Sequence, residues 1–333
     1  MPTEDDKPQD NTPKDDPPLT PLSNESRRRL LRLAPFVPLG SLLWWALARR
    51  PDPDAGKLRV TAIDVGQGDS TLIQTPGGRT ILIDGGGSGD ETDADASDVG
   101  VKIVVPFLSY LGINRLDVLV LTHPHGDHVG GLAAVLRAQE IGTILDGTTL
   151  PYPSPAYAQF RALAHRRHIP YARAVRGMGL DMGDGVRLRV LNPPPSPAFG
   201  TAATYGTGTD DAAINNYSAS LLVQYGRTRF VLTGDAETAA EGAMLDAHAD
   251  LACDVLKAGH HGSKNATGDD WLSRLQPRQA VISCGRHNHF GHPAPSTLAR
   301  LDAHGVQTFR TDRQGAVTFV SDGRTVTARP FLH

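Results

Sequence analysis

The chain reads as an α/β sandwich, two mixed β-sheets face to face with helices on the outer faces. Two observations predict this class. Short β-branched runs recur in two series, before and after a set of helical patterns, so each series can form one sheet. Several of these runs also end in polar side chains beside glycines, as loops converging on one edge of a sandwich would.

The first series comprises residues 58–64, 70–74, 79–84 and 118–122, each bounded by glycine-rich turns. Helical spacing follows at 99–111, 132–139 and 156–168, the last carrying Tyr157, Phe160, Leu163 and Ala164 three to four residues apart. The second series runs through 187–191, 218–225, 229–233, 255–258 and 279–283. The chain closes with 308–311, a turn at 312–315, and strands at 316–320 and 325–329. The segment 192–208 holds Pro193, Pro194, Pro195 and Pro197 and is too rich in breakers for a regular element. It is expected to be a loop, either a lid over the site or an exposed insertion.

The 333 residues, 39% of them hydrophobic, suffice for one large core or two ordinary ones. Beyond residue 55 there are 25 Lys and Arg against 27 Asp and Glu, so no broad basic footprint announces nucleic acid. Cys253 and Cys284 form neither a disulfide framework nor a thiolate metal site and are expected to be buried. Residues 1–25, rich in Asp, Pro and Asn, are expected to be a disordered acidic tail. Residues 26–50 begin Ser26-Arg27-Arg28-Arg29 and continue into an apolar run ending Ala46-Leu47-Ala48, which resembles an export signal of the twin-arginine type or an N-terminal anchor. Pro35, Pro38, Arg49 and Arg50 fit that pattern poorly, and a cytoplasmic amphipathic leader is the alternative. A hydrolase domain is expected over 56–333, outside the cytoplasm if the leader is read by the export machinery.

The densest chemistry is Thr122-His123-Pro124-His125-Gly126-Asp127-His128, directly after the apolar segment 116–121. Imidazoles and a carboxylate at this spacing suit two adjacent metals, His123 and His125 turning to one ion, Asp127 and His128 to a second. Asp84 ends an apolar run at a glycine turn and is suited to orienting a ligand histidine or a water rather than binding metal itself. Asp235, in Thr233-Gly234-Asp235-Ala236-Glu237, is the natural bridging carboxylate. In Gly259-His260-His261-Gly262-Ser263-Lys264 either histidine suits the second ion, with His261 preferred and its neighbour facing substrate, since adjacent strand residues point to opposite faces. Gln67 and Asp69 sit in a glycine-flanked turn fit for the same edge, whereas Asp64 can satisfy backbone donors there. His165, His168 and His248 are read as surface histidines, and Arg161, Arg166, Arg167, Arg173 and Arg176 as a solvated basic set rather than a phosphate track.

Together, His123-x-His125-x-Asp127-His128, Asp84, Asp235 and His260-His261 resemble the metallo-β-lactamase fold superfamily, which implies an αββα sandwich and two divalent ions, Zn2+ or Mn2+. The runs Asp64-Val65-Gly66-Gln67-Gly68-Asp69-Ser70, Gly259–Lys264, 286–293 and Thr311-Asp312 with Gly315 look like the hydrolase domain of ComEC-type DNA-internalisation proteins. That resemblance covers about residues 57–329. Two departures matter. Many superfamily enzymes place a further histidine on the first metal, where this chain has Ile214-Asn215-Asn216-Tyr217-Ser218. ComEC proteins also carry a long multi-helix channel, and no stretch after residue 50 is apolar enough for one, so the chain is expected to be at most the hydrolase part.

The resemblance implies a metal-dependent hydrolase in which His123, His125 and Asp235 hold one ion, Asp127, His128, Asp235 and His261 the other, and a bridging hydroxide attacks a phosphodiester. His292, Lys264 and the spare histidine are the candidates for stabilising or protonating the leaving group, and Asn216, Ser263, Gln67 and Asp69 for contacting substrate. DNA is the substrate the resemblance favours. The alternatives are a small ester, lactone or phosphocholine-like substrate, or a weakly active accessory module of DNA uptake.

Overall fold

The structure, a computed structural model, describes residues 54–87, 99–195 and 211–332. The tail 1–25, the leader 26–50 and most of the proline-rich loop, 196–208, lie outside the described residues. Among the described residues no helix is long and apolar enough to cross a membrane.

Among the described residues fifteen strands form two sheets. In chain order the first sheet holds β1 (Leu58–Ala62), β2 (Thr71–Gln74), β3 (Thr80–Ile83), β4 (Arg115–Leu121), β5 (Glu140–Asp146), β6 (Tyr171–Arg173), β14 (Val317–Ser321) and β15 (Val326–Pro330). The second holds β7 (Gly179–Asp181), β8 (Val186–Asn192), β9 (Ser220–Tyr225), β10 (Thr228–Leu232), β11 (Val255–Lys257), β12 (Gln279–Ile282) and β13 (Gln307–Arg310). The orders are β15-β14-β1-β2-β3-β4-β5-β6 and β13-β12-β11-β10-β9-β8-β7. Strands β3 to β6 run parallel, as do β10 to β13, and the remaining pairings are antiparallel. Each sheet is therefore mixed, as the sequence predicts.

Burial explains the patterns. Central β3 is buried throughout and β4 over its last four residues, because one face meets the other sheet and the other meets helices. Strand β8 lies near an edge and alternates, with Val186, Leu188 and Val190 inside and Arg187 and Arg189 outside. The inter-sheet core draws on both sheets, among others Val60, Ile81, Val120, Leu221, Phe230 and Phe319. A layer outside the first sheet contains α1 (Val105–Tyr110), preceded by a π-helical turn, then α2 (Gly126–Val129), α3 (Leu132–Ala138) and α4 (Pro155–Arg166). After the short α5 (Asp211–Asn216), the second sheet is covered by α6 (Thr238–Ala247), α7 (Asp269–Leu275) and α8 (Pro295–Ala303). The turn after β13 closes into one helical turn, α9 (Thr311–Gln314).

Several elements depart from the sequence reading. Strands β5, β6 and β7 were not expected: β6 and β7 have three residues each, too few for periodicity, and are defined by pairing to β5 and β8. Helices α6, α7 and α8 were also unread. In α6, Thr238 and Gly242 dilute the apolar stripe, and packing of Ala240 and Met244 on the second sheet decides the helix. The Asn215-Asn216 pair closes α5, just ahead of the strand read from residue 218. The cysteines are buried and unpaired, as expected.

Candidate metal centre

The parallel strands β3, β4, β10, β11 and β12 all end at one edge of the sandwich, and there the loops meet. Three backbone hydrogen bonds lace the histidine-rich loop to its neighbours: Asp69 N–H to Asp127 O, Gly85 N–H to His128 O, and Gly131 N–H to Gly86 O. The approach is close enough to require glycine. A Cβ on Gly68, at φ +133°, would sit 2.4 Å from the Asp127 carbonyl oxygen, and one on Gly131 2.0 Å from that of Gly85.

Four imidazoles converge on one carboxylate oxygen, Asp235 Oδ2. His128 Nε2 lies 3.3 Å from it, His261 Nε2 3.4 Å, and His123 Nε2 and His260 Nε2 3.9 Å each. His261 Nε2 is also 3.1 Å from Asp127 Oδ2, and His123 Nε2 is 3.0 Å from His125 Nδ1. Ligand atoms of Asp127, His128, Asp235 and His261 all lie within 4.8 Å of one another. Metal bonds of about 2.0–2.2 Å put tetrahedral donors roughly 3.4 Å apart, so this set fits a divalent ion. Among the described residues, buried His128 Nε2 and Asp235 Oδ1 have no hydrogen-bond partner, and His125 Nε2 lies 3.4 Å from Asp211 Oδ1. Nitrogen and oxygen donors left over in a dry cluster are what a cation would satisfy.

Each histidine is held from behind. His128 Nδ1 lies 2.8 Å from Asp84 Oδ2, and Asp84 also accepts the Thr122 N–H and hydroxyl. His261 Nδ1 donates to Ser283 O at 3.0 Å. Thr122 Oγ1 and Ser218 Oγ reach His123 Nδ1 at 3.0 and 3.2 Å. His260 Nδ1 meets Glu237 Oε1 at 2.8 Å. Beneath them Lys257 Nζ, fully buried, pairs with Asp69 Oδ2 at 2.6 Å. Asp84, His260 and His261 take positive φ (59°, 44° and 51°), a backbone region costly for such side chains and common at functional sites.

The electrostatics follow from this packing. Burial disfavours charge on His128 and His261, yet Asp235 and its neighbouring carboxylates win, holding His128 well above its ordinary value and raising His261 to about 10. Asp235 and Asp127 are held low by the imidazoles despite burial. His123 goes well below its ordinary value, through burial and then the neighbouring His128 and His125. Burial, followed by His260 and His261, pushes His292 down to about 4.

The structure brings together His123, His125, Asp127, His128, Asp235, His260 and His261, with Asp84 behind them. The expectation that adjacent His260 and His261 face opposite ways is corrected: they lie in a 3₁₀ turn after β11, both at positive φ, and both aim Nε2 at Asp235. His260 is a quarter exposed and lines the cavity, while His261 is buried. The expected substrate contacts are corrected as well. Asn216 is buried with its Oδ1 accepting Glu237 and Ala240 N–H, so it caps α6. Ser263 Oγ accepts the Asn265 N–H within a turn, Gln67 Oε1 accepts the Gly285 N–H, and Asp69 is spent on Lys257. Lys264 is exposed and does not line the cavity. His292 does line it. Asp64 accepts the Gly66 N–H. His165, His168, Arg161, Arg166 and Arg167 are exposed, the last donating to Gln139 O, whereas His248 is partly buried.

Above the cluster opens a cavity of about 320 Å³ lined by His125, Asp127, Tyr152, Asp211, Asn215, Asp235, His260, Phe290 and His292 among others. Tyr152 packs edge-on to His125, and Phe290 stacks beside His292 on a loop stapled by Asn288, whose side chain bonds Gly285 O and both backbone groups of His292. A larger cavity, about 740 Å³, lies by β7, β8 and the end of α6, and shares no lining residue with this one. The sequence reading missed Glu237, Ser218, Lys257, Asn215, Tyr152, Asp211 and Phe290. Two of these left a trace: Glu237 stands two residues from Asp235, and Lys257 is a lone charge in an otherwise apolar strand.

The sandwich with this edge cluster defines a metal-dependent hydrolase superfamily. A family model of the metallo-beta-lactamase superfamily matches residues 63–286, and the chain belongs to that superfamily. It is similar to the ComE operon protein 3 of Bacillus subtilis (strain 168), 31% identical over 78% of this chain and 32% of the relative. It is likewise similar to the competence protein ComA of Neisseria gonorrhoeae, 31% identical over 87% of this chain and 36% of that protein. The chain thus spans about a third of the length of these relatives. Among solved structures, a diphosphatase of the PhnP family aligns over 79% of this chain and 98% of its own, at 15% identity and a TM-score of 0.42.

Proposed function

We propose that the chain is a metal-dependent phosphodiesterase acting on DNA strands. The observation that carries the reading is the convergence of four imidazole Nε2 atoms on Asp235, with Asp127 against one of them, at the floor of an open cavity. His123, His125 and Asp235 would hold one ion, and Asp127, His128, Asp235 and His261 a second. When bound, Zn2+ or Mn2+ would supply a nucleophile at neutral pH and polarise a phosphoryl oxygen. Asp84 keeps the His128 lone pair facing the cluster by accepting the Nδ1–H hydrogen bond, as Ser283 O does for His261. His292, held neutral, presents an imidazole at the cavity wall for the attacking or departing oxygen. Tyr152 and Phe290 offer aromatic faces on which unpaired bases stack, a contact indifferent to sequence. Similarity to competence proteins supports DNA over a small ester.

Purified protein loaded with Mn2+ or Zn2+ should cleave single-stranded DNA and a nitrophenyl phosphodiester, and Asp127→Ala should abolish both. Cleavage of carboxylic esters alone would replace the reading with a small-ester hydrolase, and inactivity of metal-loaded protein with an accessory module. The basic and apolar pattern of residues 26–50 supports export or membrane anchoring of the domain, which fractionation of cells with N-terminal sequencing of the recovered protein tests.

A further inference from the structure

We propose that the two adjacent histidines serve different ions: His261 the ion of Asp127 and His128, and His260 the ion of His123 and His125, with Glu237 as the positioning residue. This rests on the reading of the cluster as a metal centre. His260 Nδ1 lies 2.8 Å from Glu237 Oε1, and an ionised carboxylate can only accept, so Nδ1 carries the proton. In the neutral ring Nε2 then presents a lone pair, and it points to Asp235 Oδ2 at 3.9 Å, within the roughly 4.1 Å spanned by two metal–ligand bonds. His123 Nε2 stands at the same 3.9 Å from that oxygen. Asn215 Nδ2 is 3.4 Å from His260 Nδ1, too long to compete with the carboxylate.

The arrangement repeats at each histidine that reaches Asp235. His128 has Asp84 behind it, His261 has Ser283 O, His123 has Thr122 and Ser218, and His260 has Glu237. What marks His260 as a ligand is the direction its fixed tautomer gives Nε2, toward the same Asp235 oxygen that the other three imidazoles reach. Glu237 is itself placed by Asn216, whose Oδ1 holds the Glu237 N–H. The asparagine pair thus backs His260 from behind, Asn216 through Glu237 and Asn215 beside the ring. His123, His125, Asp235 and His260 make one set of four, and Asp127, His128, Asp235 and His261 the other, with Asp235 shared.

The test is metal binding rather than turnover: stoichiometry by mass spectrometry of dialysed protein, affinities by calorimetry, and the visible absorption of the Co2+ form. Wild type should take two ions. His260→Ala should retain one at unchanged affinity, and His261→Ala should lose the other. Glu237→Gln, nearly isosteric, should weaken one ion about 10- to 100-fold, leave the second unchanged and alter only one set of Co2+ bands. Circular dichroism of the chelated variants shows whether they fold, and Glu237→Gln carries the test if His260→Ala does not. Two ions in folded His260→Ala, with affinities within about twofold of wild type, would overturn the ligand assignment, as would an unchanged Glu237→Gln. A wild type that binds no ion would instead overturn the metal-centre reading itself.

Discussion

Asp84→Asn changes one atom and should disable His128, the ligand that it orients. The Asp84 carboxylate accepts three donors: Thr122 N–H at 2.8 Å, the Thr122 hydroxyl at 2.7 Å and His128 Nδ1 at 2.8 Å. An asparagine oxygen can keep the Thr122 N–H, which leaves the NH2 group facing His128 Nδ1. Nδ1 must then accept, the proton moves to Nε2, and the lone pair that faces Asp235 Oδ2 at 3.3 Å is lost. Loss of an orienting carboxylate behind a ligand histidine costs about 10- to 100-fold in metal affinity, or roughly 1.4–2.8 kcal/mol. Calorimetric titration of Zn2+ into chelator-stripped protein at pH 7.5 reads this directly, and the ion of Asp127 and His128 should be the one affected. Thermal melting in chelator separates the ligand effect from a folding defect. An Asp84→Asn protein that folds and binds both ions within about twofold of wild type would rule out this role for Asp84.

Asn216→Ala strips two N–H groups at the start of α6 of their acceptor and should cost about 1–2 kcal/mol, a melting point lower by several degrees; an unchanged melting point would rule out the capping role. Glu241, buried while holding Thr267 and Gly268 N–H, is pushed up to about 7 by burial, above its ordinary value of 4.5. The unfolded chain therefore gives up this proton first, and stability falls by roughly 3 kcal/mol as pH rises from 4.5 to 7. Urea unfolding at both pH values should show a smaller fall in Glu241→Gln, and parallel falls would refute the assignment. Lys264→Ala, altering an exposed side chain away from the cavity, should leave diesterase activity within about twofold of wild type; a tenfold loss would return Lys264 to the substrate.

Much of the site was legible because its chemistry is local in sequence. His123, His125, Asp127 and His128 lie on one loop, and Asp84 and Asp235 each follow an apolar strand, so residue type and position announced them. Residues chosen only for polarity and proximity fared worse. Asn216, Ser263, Gln67 and Asp69 sit beside the right loops yet bond backbone or a buried lysine, because buried donors and acceptors must be satisfied before any group is free for substrate. Tyr152 and Phe290 carried no signal at all, since single aromatics on loops acquire meaning only from what they face.

Sequence pattern alone gave away the αββα class, the long strands other than β5 and the ligand-bearing loops, for these rest on hydrophobic periodicity and on motifs a few residues long. Only the tertiary structure decided that His260 and His261 both face Asp235, that Glu237 stands behind one and Ser283 behind the other, and that the asparagine pair supports the site from within. Those outcomes depend on backbone at positive φ and on hydrogen bonds between residues 21 to 44 positions apart, and neither is written in a pattern of neighbouring side chains.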